Sequence, residues 1–247
     1  MTSSLRITVG VIYMAFATMI HSVILLVLFP SKNLRIRSCN YWGWITGRFI
    51  VWVSGSTVTV HGGETMRSDR PVIYVSNHTS ALDIFIGIWL APVGTVGVAK
   101  KEVVYYPFFG QLYWLSGHLR IDRGDTGKAV AAMKEMVKIV RAHHLSIWMW
   151  PEGTRSRDGR LQPMKKGIYH LAVATGLPVV PVVVQGAHHV WEKGSMRVAP
   201  CDVHVSILPA IDTRGWKDRP IDEVLAELHA SFANALPADQ QPLARAA

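Results

Sequence analysis

An asparagine, a histidine, a serine and an aspartate lie within one short segment and could together carry proton-transfer chemistry. Asn77 and His78 follow the apolar run Pro71–Ser76 directly, and Ser80 and Asp83 come next. An aspartate that accepts a hydrogen bond from one imidazole nitrogen makes the other nitrogen a better base. His78 is therefore a candidate general base that Asp83 orients. Taken alone, the spacing favours the simpler interpretation, a strand-end turn with a capping aspartate.

A second apolar run, Leu145–Trp150, leads directly into a loop rich in cations. The loop contains Pro151, Glu152, Gly153, Thr154, Arg155, Ser156 and Arg157. Hydroxyl and guanidinium donors side by side suit an oxyanion such as phosphate, since a guanidinium can donate two parallel hydrogen bonds. The alternative is a solvated basic loop, which an apolar strand leading straight into it makes less attractive.

Two basic clusters flank an aromatic segment between these motifs. Lys100 and Lys101 precede it, Arg120 and Arg123 follow it, and the segment Val103–Leu115 is predicted to be one helix. One interpretation is a wall for an apolar chain with cations at its mouth. The other is a core helix whose long basic side chains reach solvent at its ends, and periodicity alone favours it.

The elements that must position these residues alternate between strand and helix. β-branched runs predict strands at Thr57–His61, Pro71–Ser76, Thr95–Ala99, Leu145–Trp150, Val179–Val184 and Val203–Leu208. Helical spacing and caps predict helices from Asp125 or Thr126 to about His143, at Gly167–Thr175 and at Ile221–Ala233. This alternation predicts an α/β fold with a mostly parallel or mixed twisted sheet flanked by helices. Val130, Met133, Val137 and Val140 are expected on one face of the first of these helices.

The N-terminus is predicted to be a membrane anchor. Residues Ile7–Phe29 carry no formal charge, and a helix of that length can cross a hydrocarbon core of about 30 Å. A cleaved signal peptide and a buried core helix are the alternatives, but the apolar run continues well past the small residues Ala15 and Ala17. The segment Tyr41–Val53 is shorter and rich in tryptophan, which favours an interfacial or re-entrant arrangement.

Composition supports this division of the chain. Its 247 residues carry a formal net charge of +9, with 17% charged residues, fewer than the usual ~25%. Such a chain suits an anionic partner such as lipid headgroups, a phosphorylated substrate or nucleic acid. We predict an N-terminal membrane anchor at 1–56, with one long apolar helix and a shorter interfacial one. A catalytic-sized domain at 57–236 and a flexible tail at 237–247 follow.

The sequence lacks the motifs of several other kinds of site: a nucleophilic serine, a zinc site and a disulfide scaffold. The chain has no Gly-x-Ser-x-Gly sequence and no His-Glu-x-x-His sequence, and its two cysteines cannot form a disulfide scaffold. The pairs His143–His144 and His188–His189 are neighbours that we expect to point in different directions. The sequence therefore predicts no metal site and no nucleophilic serine.

In their order and spacing, these motifs resemble those of the glycerolipid acyltransferases of the 1-acylglycerol-3-phosphate O-acyltransferase type. The family's first motif has the form Asn-His-x-Ser-x-x-x-Asp and is matched by Asn77, His78, Ser80 and Asp83. Its second motif corresponds to Lys100 or Lys101, Glu102, Pro107, Gly110, Gly117, Ile121, Asp122 and Arg123. Its third is matched by Pro151 to Ser156, with Trp150 where phenylalanine is usual, and its fourth by Pro178–Val184. The resemblance covers Val72–Val184.

The resemblance implies a mechanism and a set of site residues. His78 and Asp83 would be catalytic, with His78 deprotonating the acceptor hydroxyl for attack on the thioester of acyl-CoA or acyl carrier protein. Residues expected to bind substrate are Asn77, Ser80, Lys101, Gly110, Arg120, Arg123, Glu152, Gly153, Thr154 and Arg155. No cofactor is expected, since the acyl donor is itself a substrate.

The same resemblance implies the biological setting. The expected partners are membrane lipids, a lysophospholipid acceptor and the acyl donor, with no nucleic acid. The expected location is the bacterial inner (cytoplasmic) membrane, with the site facing the cytoplasm or the membrane interface. Lysophosphatidic acid is the expected acceptor, giving phosphatidic acid, and glycerol 3-phosphate or another lysolipid such as lyso-ornithine lipid is the alternative. A membrane-bound lipid esterase and a non-enzymatic module that binds anionic lipid are the rival interpretations.

Overall fold

A sheet of seven strands forms the centre of the protein within residues 1–66, 70–122 and 126–243, which the computed structural model describes. The strands are β1 (Thr57–His61), β2 (Ile73–Ser76), β3 (Thr95–Lys100), β4 (Leu119–Ile121), β5 (Ser146–Met149), β6 (Val179–Gln185) and β7 (Asp202–Ile207). Their order is β1-β7-β6-β2-β5-β3-β4. All neighbours are parallel except β6 and β7, which are antiparallel. The mixed α/β sheet predicted from the sequence is confirmed.

Helices cover both faces of this sheet. They are α1 (Ser3–Val27), α2 (Lys32–Ser54), α3 (Leu82–Leu90), α4 (Phe109–Ser116), α5 (Thr126–His143), α6 (Gly167–Thr175), α7 (Ala187–Val190) and α8 (Ile221–Ala235). Strand β2 shows why both faces must be covered. Ile73 and Val75 pack in the cluster that includes residues of α5, α6 and α8, whereas Tyr74 packs in the cluster with residues of α2 and α3. Alternate side chains of a central strand thus serve two cores.

Helix α2 is locked to the rest of the domain by small and polar residues. A Cβ on Gly47 would lie 2.3 Å from the carbonyl oxygen of Phe85, so only glycine lets α2 approach α3 this closely. The Asn40 amide accepts hydrogen bonds from the backbone N–H groups of Gly94 and Thr95 and donates one to the Thr95 carbonyl. Helix α2 begins at Lys32, well before the apolar segment Tyr41–Val53.

Helix α1 exposes much of its apolar surface. Val27 is 76% exposed and Ile12 64% exposed, while Thr18, His21 and Leu25 are buried. Among the described residues, α1 is the helix long and apolar enough to cross a membrane, by length and composition. Its N-terminal end is fixed to the domain, because Arg6 donates to the Val53 carbonyl and the Val198 N–H donates to the Ser3 hydroxyl.

The aromatic segment between the basic clusters differs from the prediction of one helix. Lys101–Tyr105 forms a 3-10 turn, and α4 begins only at Phe109. Pro107 lacks a backbone N–H and disfavours helical geometry in the residue before it, and Phe108 has a φ of +62°. The three-residue strand β4 follows and was not predicted, because so short a run has no readable periodicity.

Two predictions about α5 concern residues outside the described part of the chain. Asp125 as a cap lies outside the described residues, and so does the Val130 side chain. Met136 and Val140 are buried in the core, with Met133 and Val137 packed against it, which confirms the predicted apolar face.

Candidate active site

The turn after β2 brings His78 and Asp83 together. The His78 Nδ1 atom lies 3.1 Å from Asp83 Oδ2. The same oxygen accepts the backbone N–H groups of Thr79 at 2.6 Å and Ser80 at 2.7 Å. Asp83 thus caps its turn and also orients the imidazole, so both interpretations of this motif, a capping aspartate and a base-orienting aspartate, are correct.

This geometry fixes the chemistry available to the imidazole. Asp83 has no exposed side-chain surface, whereas His78 keeps 13% of its side chain exposed. A carboxylate accepting from Nδ1 places the proton there and leaves Nε2 as the free base. The Trp150 ring stacks on the imidazole with centroids 4.9 Å apart and an interplanar angle of 26°. Trp150 therefore limits the ring's movement on one side.

Asn77 and Ser80 use their polar atoms on the protein itself. The Asn77 amide both donates to and accepts from the Val184 backbone, each at 2.8 Å, which ties the end of β2 to β6. The Ser80 hydroxyl donates to the Trp191 carbonyl at 2.8 Å and accepts from the Leu82 N–H. Both side chains are buried. In this structure they position the turn that carries His78.

Glu152 supports the same turn from the cationic loop. Its carboxylate accepts the His78 backbone N–H at 2.6 Å and the Gln162 N–H at 2.9 Å. The residue is 1% exposed. Burial raises the pKa of Glu152 to about 8, while the two backbone donors pull the pKa down. Glu152 therefore links the base to the loop that could bind an anion.

A cavity of about 940 Å³ opens beside His78. The residues at its polar end that the sequence singled out are Gly153, Thr154 and Arg155. Lys193 joins them, donating to the Thr154 hydroxyl at 3.2 Å and to the Arg155 carbonyl at 2.7 Å. The structure thus places the predicted base and the predicted anion loop on one cavity.

The far end of this cavity is walled by helices and by the open face of β3. Phe108 and Phe109 contribute to the wall, as do apolar residues of α1 and α3. Gly97 of β3 leaves space that Tyr113 and His118 border, and the Gly97 N–H donates to His118 Nδ1 at 3.0 Å. Burial, with a smaller contribution from Lys32, lowers the pKa of His118 to about 4. The imidazole is therefore neutral at pH 7 and can border an apolar chain.

The second motif contributes less than the first and third. Lys101 pairs with Asp122, with Nζ 2.7 Å from the carboxylate, and of the two lysines it is Lys100 that lines the cavity. Gly110 is required by packing, since a Cβ there would lie 2.3 Å from the Val104 carbonyl oxygen. Arg120 is exposed on strand β4, outside the described lining. Arg123 lies outside the described residues.

The neighbours His188 and His189 do not point in different directions as expected. Their ring centroids are 3.7 Å apart on α7, because consecutive residues of a helix are offset by only about 100° and the two rings can meet. With Asp239 they place one ligand atom each within 4.8 Å of one another, in an arrangement that could hold a metal ion. His189 and Asp239 are exposed.

The sequence motifs did not identify Lys193, Gly97 or His118 as parts of the cavity. Lys193 follows the loop it contacts by nearly forty positions, with β6 and α7 between. A single lysine in a polar turn carries no motif. Of these three, only Gly97 could have been identified from the sequence, because a glycine inside a strand often marks a place where a ligand or another backbone approaches closely.

Known proteins share both the sequence and the fold. The family model "Acyltransferase" matches residues 57–185. A 1-acyl-sn-glycerol-3-phosphate acyltransferase of Limnanthes douglasii is 46% identical over 221 residues, covering 90% of this chain and 78% of its own. The enzyme of that name from Cocos nucifera is 42% identical over 241 residues, covering 98% and 78%.

A bacterial relative and a solved structure agree with this. The 1-acyl-sn-glycerol-3-phosphate acyltransferase of Escherichia coli is 39% identical over 154 residues, 62% of each chain. The crystal structure of the 1-acyl-sn-glycerophosphate acyltransferase of Thermotoga maritima has a TM-score of 0.75, with 23% identity and 94% of each chain covered, and shares the fold. With its first and third motifs at one cavity and its relatives matching over most of its length, the chain belongs to the acyltransferase family that includes the 1-acyl-sn-glycerol-3-phosphate acyltransferases.

Proposed function

We propose that this protein transfers an acyl chain from a thioester donor to the free hydroxyl of 1-acyl-glycerol 3-phosphate, giving phosphatidic acid. The observation that carries the proposal is the His78–Asp83 pair opening onto a cavity with cations at one end and an apolar wall at the other. The acceptor has the same division, with a phosphate at one end and a chain at the other. Relatives at 42% and 46% identity bear the name of this activity.

His78 supplies the proton transfers. Its Nε2 takes the proton from the acceptor hydroxyl as that oxygen forms a bond to the thioester carbonyl carbon. The tetrahedral oxyanion then collapses, the carbon–sulfur bond breaks, and the imidazolium gives the proton taken from the hydroxyl to the leaving thiolate. Asp83 stabilises the imidazolium between these steps. No acyl-enzyme forms, so the acyl chain passes directly from sulfur to oxygen.

The cationic loop would hold the acceptor's phosphate. Gly153, Thr154 and Arg155 border the cavity beside His78, and a guanidinium can bind two phosphate oxygens at once. Glu152 is a buried residue of this loop and takes part by fixing the His78 backbone. The reaction needs no cofactor, because the donor, acyl-CoA or acyl carrier protein, is activated as a thioester.

The setting we propose is a membrane. Helix α1 can cross one by length and composition, and both acceptor and product are membrane lipids. The basic segment from Lys32 to Arg37 would lie on the cytoplasmic side, since cytoplasmic flanks are rich in lysine and arginine. We propose the bacterial inner membrane as its location, with the cavity at the cytoplasmic face or the membrane interface.

An acceptor panel tests this proposal. Purified protein in liposomes receives labelled acyl-CoA or acyl carrier protein with lysophosphatidic acid, glycerol 3-phosphate, lysophosphatidylcholine, lyso-ornithine lipid or water alone. Label should appear in phosphatidic acid with the wild type and be lost in His78→Ala. Label in another lipid would replace the acceptor but keep the mechanism. Free fatty acid as sole product would indicate an esterase, and no product with any acceptor would refute the proposal.

A further inference from the structure

Lys193 sits in a tight turn that is tied to the base-bearing segment. The Trp191 indole N–H donates to the Ser195 carbonyl at 2.9 Å, and the Ser195 N–H donates to the Glu192 carbonyl at 3.1 Å. The Ser80 hydroxyl donates to the Trp191 carbonyl at 2.8 Å. The turn therefore cannot move far without disturbing the segment that holds His78.

The Lys193 ammonium retains bonding capacity after its contacts with the protein. It donates to the Thr154 hydroxyl and to the Arg155 carbonyl, and an ammonium has three donors. The ion pairs of the described residues do not include Lys193. A half-buried ammonium held by neutral partners favours a nearby anion.

Further donors line the same cavity. The Thr154 hydroxyl accepts from Lys193, so its own proton can point elsewhere. The described cavity lining includes the cations Arg6, Lys100, Arg155 and Lys193, and no aspartate or glutamate. The lining of this cavity therefore carries positive charge that no lining carboxylate balances.

We propose that Lys193 is a second cationic contact for the acceptor's phosphate and that, with Arg155, it selects a phosphate monoester over neutral or zwitterionic headgroups. This inference rests on the proposed function. A phosphate monoester carries close to two negative charges at pH 7, since its second pKa is about 6. A choline diester has one negative charge, and its quaternary ammonium would face these cations, which penalises its binding.

Phosphates of the donor are the competing ligand of the same chemistry. The acceptor fits better, because its reactive hydroxyl and its phosphate are on adjacent carbons, so base and phosphate site must be close. Lys193 contacts residues two and three positions after Glu152, which holds the His78 backbone. The phosphates of CoA are separated from its thioester by the whole pantetheine arm.

Acceptor selectivity tests this inference in the full-length protein at a fixed pH of about 7.5, where the monoester is doubly ionised. Lys193→Met should lower kcat/KM for lysophosphatidic acid about 10- to 100-fold, the usual effect of losing a hydrogen bond to a charged group. The value for 1-acylglycerol, which has no phosphate, should stay unchanged. Lys193→Arg should restore most of the activity on lysophosphatidic acid, and Arg197→Ala, an exposed cation of the same region, should match the wild type.

Binding and donor measurements separate the alternatives. A 2-deoxy analogue of lysophosphatidic acid, which cannot be acylated, should inhibit Lys193→Met more weakly by the same factor. An equal loss on both acceptors would mean that Lys193 only holds the loop and would overturn the proposal. A defect that disappears with a phosphate-free acyl-pantetheine donor would assign Lys193 to the donor and overturn it too. A wild type inactive on lysophosphatidic acid would instead refute the proposed function.

Discussion

The turn after β2 and helix α1 differ in which side chains they bury: the turn buries charged groups, and the helix exposes apolar ones. Asp83 in this turn, and Glu152 in the loop after β5 that supports it, are at most 2% exposed, and each accepts two backbone N–H groups. In α1, large apolar side chains such as Ile12 and Phe16 are 64% and 59% exposed. Carboxylates that water would solvate are buried, and hydrophobic groups that water would exclude lie on the surface.

Hydrogen-bonded polar groups and apolar surfaces restrict structure to different degrees. A buried carboxylate needs donors paired with it, as Asp83 Oδ2 has in the backbone N–H groups of Thr79 and Ser80, so the turn is restricted to geometries that keep these bonds. An apolar helix surface needs only an apolar environment, and many arrangements provide one. The polar end of the cavity therefore fixes the position of reacting atoms, whereas the apolar end sets which chains fit.

Breaking the turn should have the largest effect. Asp83→Asn replaces an oxygen that can accept three hydrogen bonds by an amide, so His78 loses the partner that fixes its tautomer. We expect kcat to fall by about 10²- to 10⁴-fold, the range of a lost general base. The exposed Asp222→Asn, which breaks only a surface ion pair with Lys166, should keep wild-type turnover. Steady-state kinetics on folded variants measures both, and near-normal turnover of Asp83→Asn would contradict this role.

The buried carboxyl group of Glu152, in the loop that supports the turn, should also make stability depend on pH. The folded-state pKa of Glu152 is about 8, above the ordinary value of 4.5. Between these values the folded state binds the proton more tightly than the unfolded state, so the free energy of unfolding falls as pH rises. Over the window from pH 4.5 to 8 the loss amounts to a few kcal/mol and levels off above it.

Melting temperatures of wild type and Glu152→Gln across this window provide the measurement. The amide cannot ionise, so the stability advantage of the wild type should shrink steadily as pH rises. Glu223→Gln, which changes an exposed carboxylate of α8, should run parallel to the wild type. A difference between wild type and Glu152→Gln that stays constant with pH would show that Glu152 is already ionised in the folded state.

A substitution at the contact between α2 and α3 should show whether α2 is part of the folded domain or only a loosely attached anchor. In Gly47→Ala the new Cβ would lie 2.3 Å from the Phe85 carbonyl oxygen, a backbone atom that cannot swing away. We expect a loss of about 1–3 kcal/mol from overpacking, together with lower turnover because α3 carries Asp83. Gly167→Ala, where a Cβ meets nothing within 4 Å, should be neutral or slightly stabilising. Denaturation in detergent compares the two, and equal stability would mean that α2 is not held against α3.

At the apolar end the expected effects are smallest and concern selectivity. Gly97→Val places methyl groups near Tyr113 and His118 without a severe clash, since the added Cβ lies 3.7 Å from the nearest of them. The shorter cavity should favour shorter acyl chains, whereas Phe109→Ala should favour longer ones. Each methylene in an apolar pocket is worth about 1–3 kcal/mol at most. Competition between donors of different chain length measures the shift, and an unchanged profile would place the chain elsewhere.

Elements with a strong period could be predicted from the sequence. The strand at Thr57–His61 and the helix at Gly167–Thr175 lie where the pattern placed them. The helix predicted at Val103–Leu115 was wrong, because hydrophobic spacing does not register the break that Pro107 and Phe108 impose. In this segment the backbone conformation at Pro107 and Phe108 ends the helical geometry that the side-chain pattern predicts.

The candidate site divides in the same way. His78, Asp83 and the Gly153–Arg155 loop are short-range motifs at the ends of strands that become neighbours in a parallel sheet, so their meeting could be foreseen. Lys193 reaches that loop from the turn that follows β6 and α7, nearly forty positions later in the chain, and no local pattern encodes this contact. Asn77 and Ser80 fit a substrate-binding motif in sequence, yet their partners in the structure are backbone groups of Val184 and Trp191.

A single-turnover measurement tests the central claim, direct acyl transfer with His78 as the base, most directly. Wild type, His78→Ala and the exposed-histidine control His170→Ala are mixed with labelled acyl-CoA and saturating lysophosphatidic acid, and the products are separated after acid quench. Loss of the base should slow phosphatidic acid formation about 10²- to 10⁴-fold in His78→Ala, with His170→Ala equal to wild type and no label bound to protein. Label trapped on the protein, or His78→Ala turning over at the wild-type rate, would contradict the account.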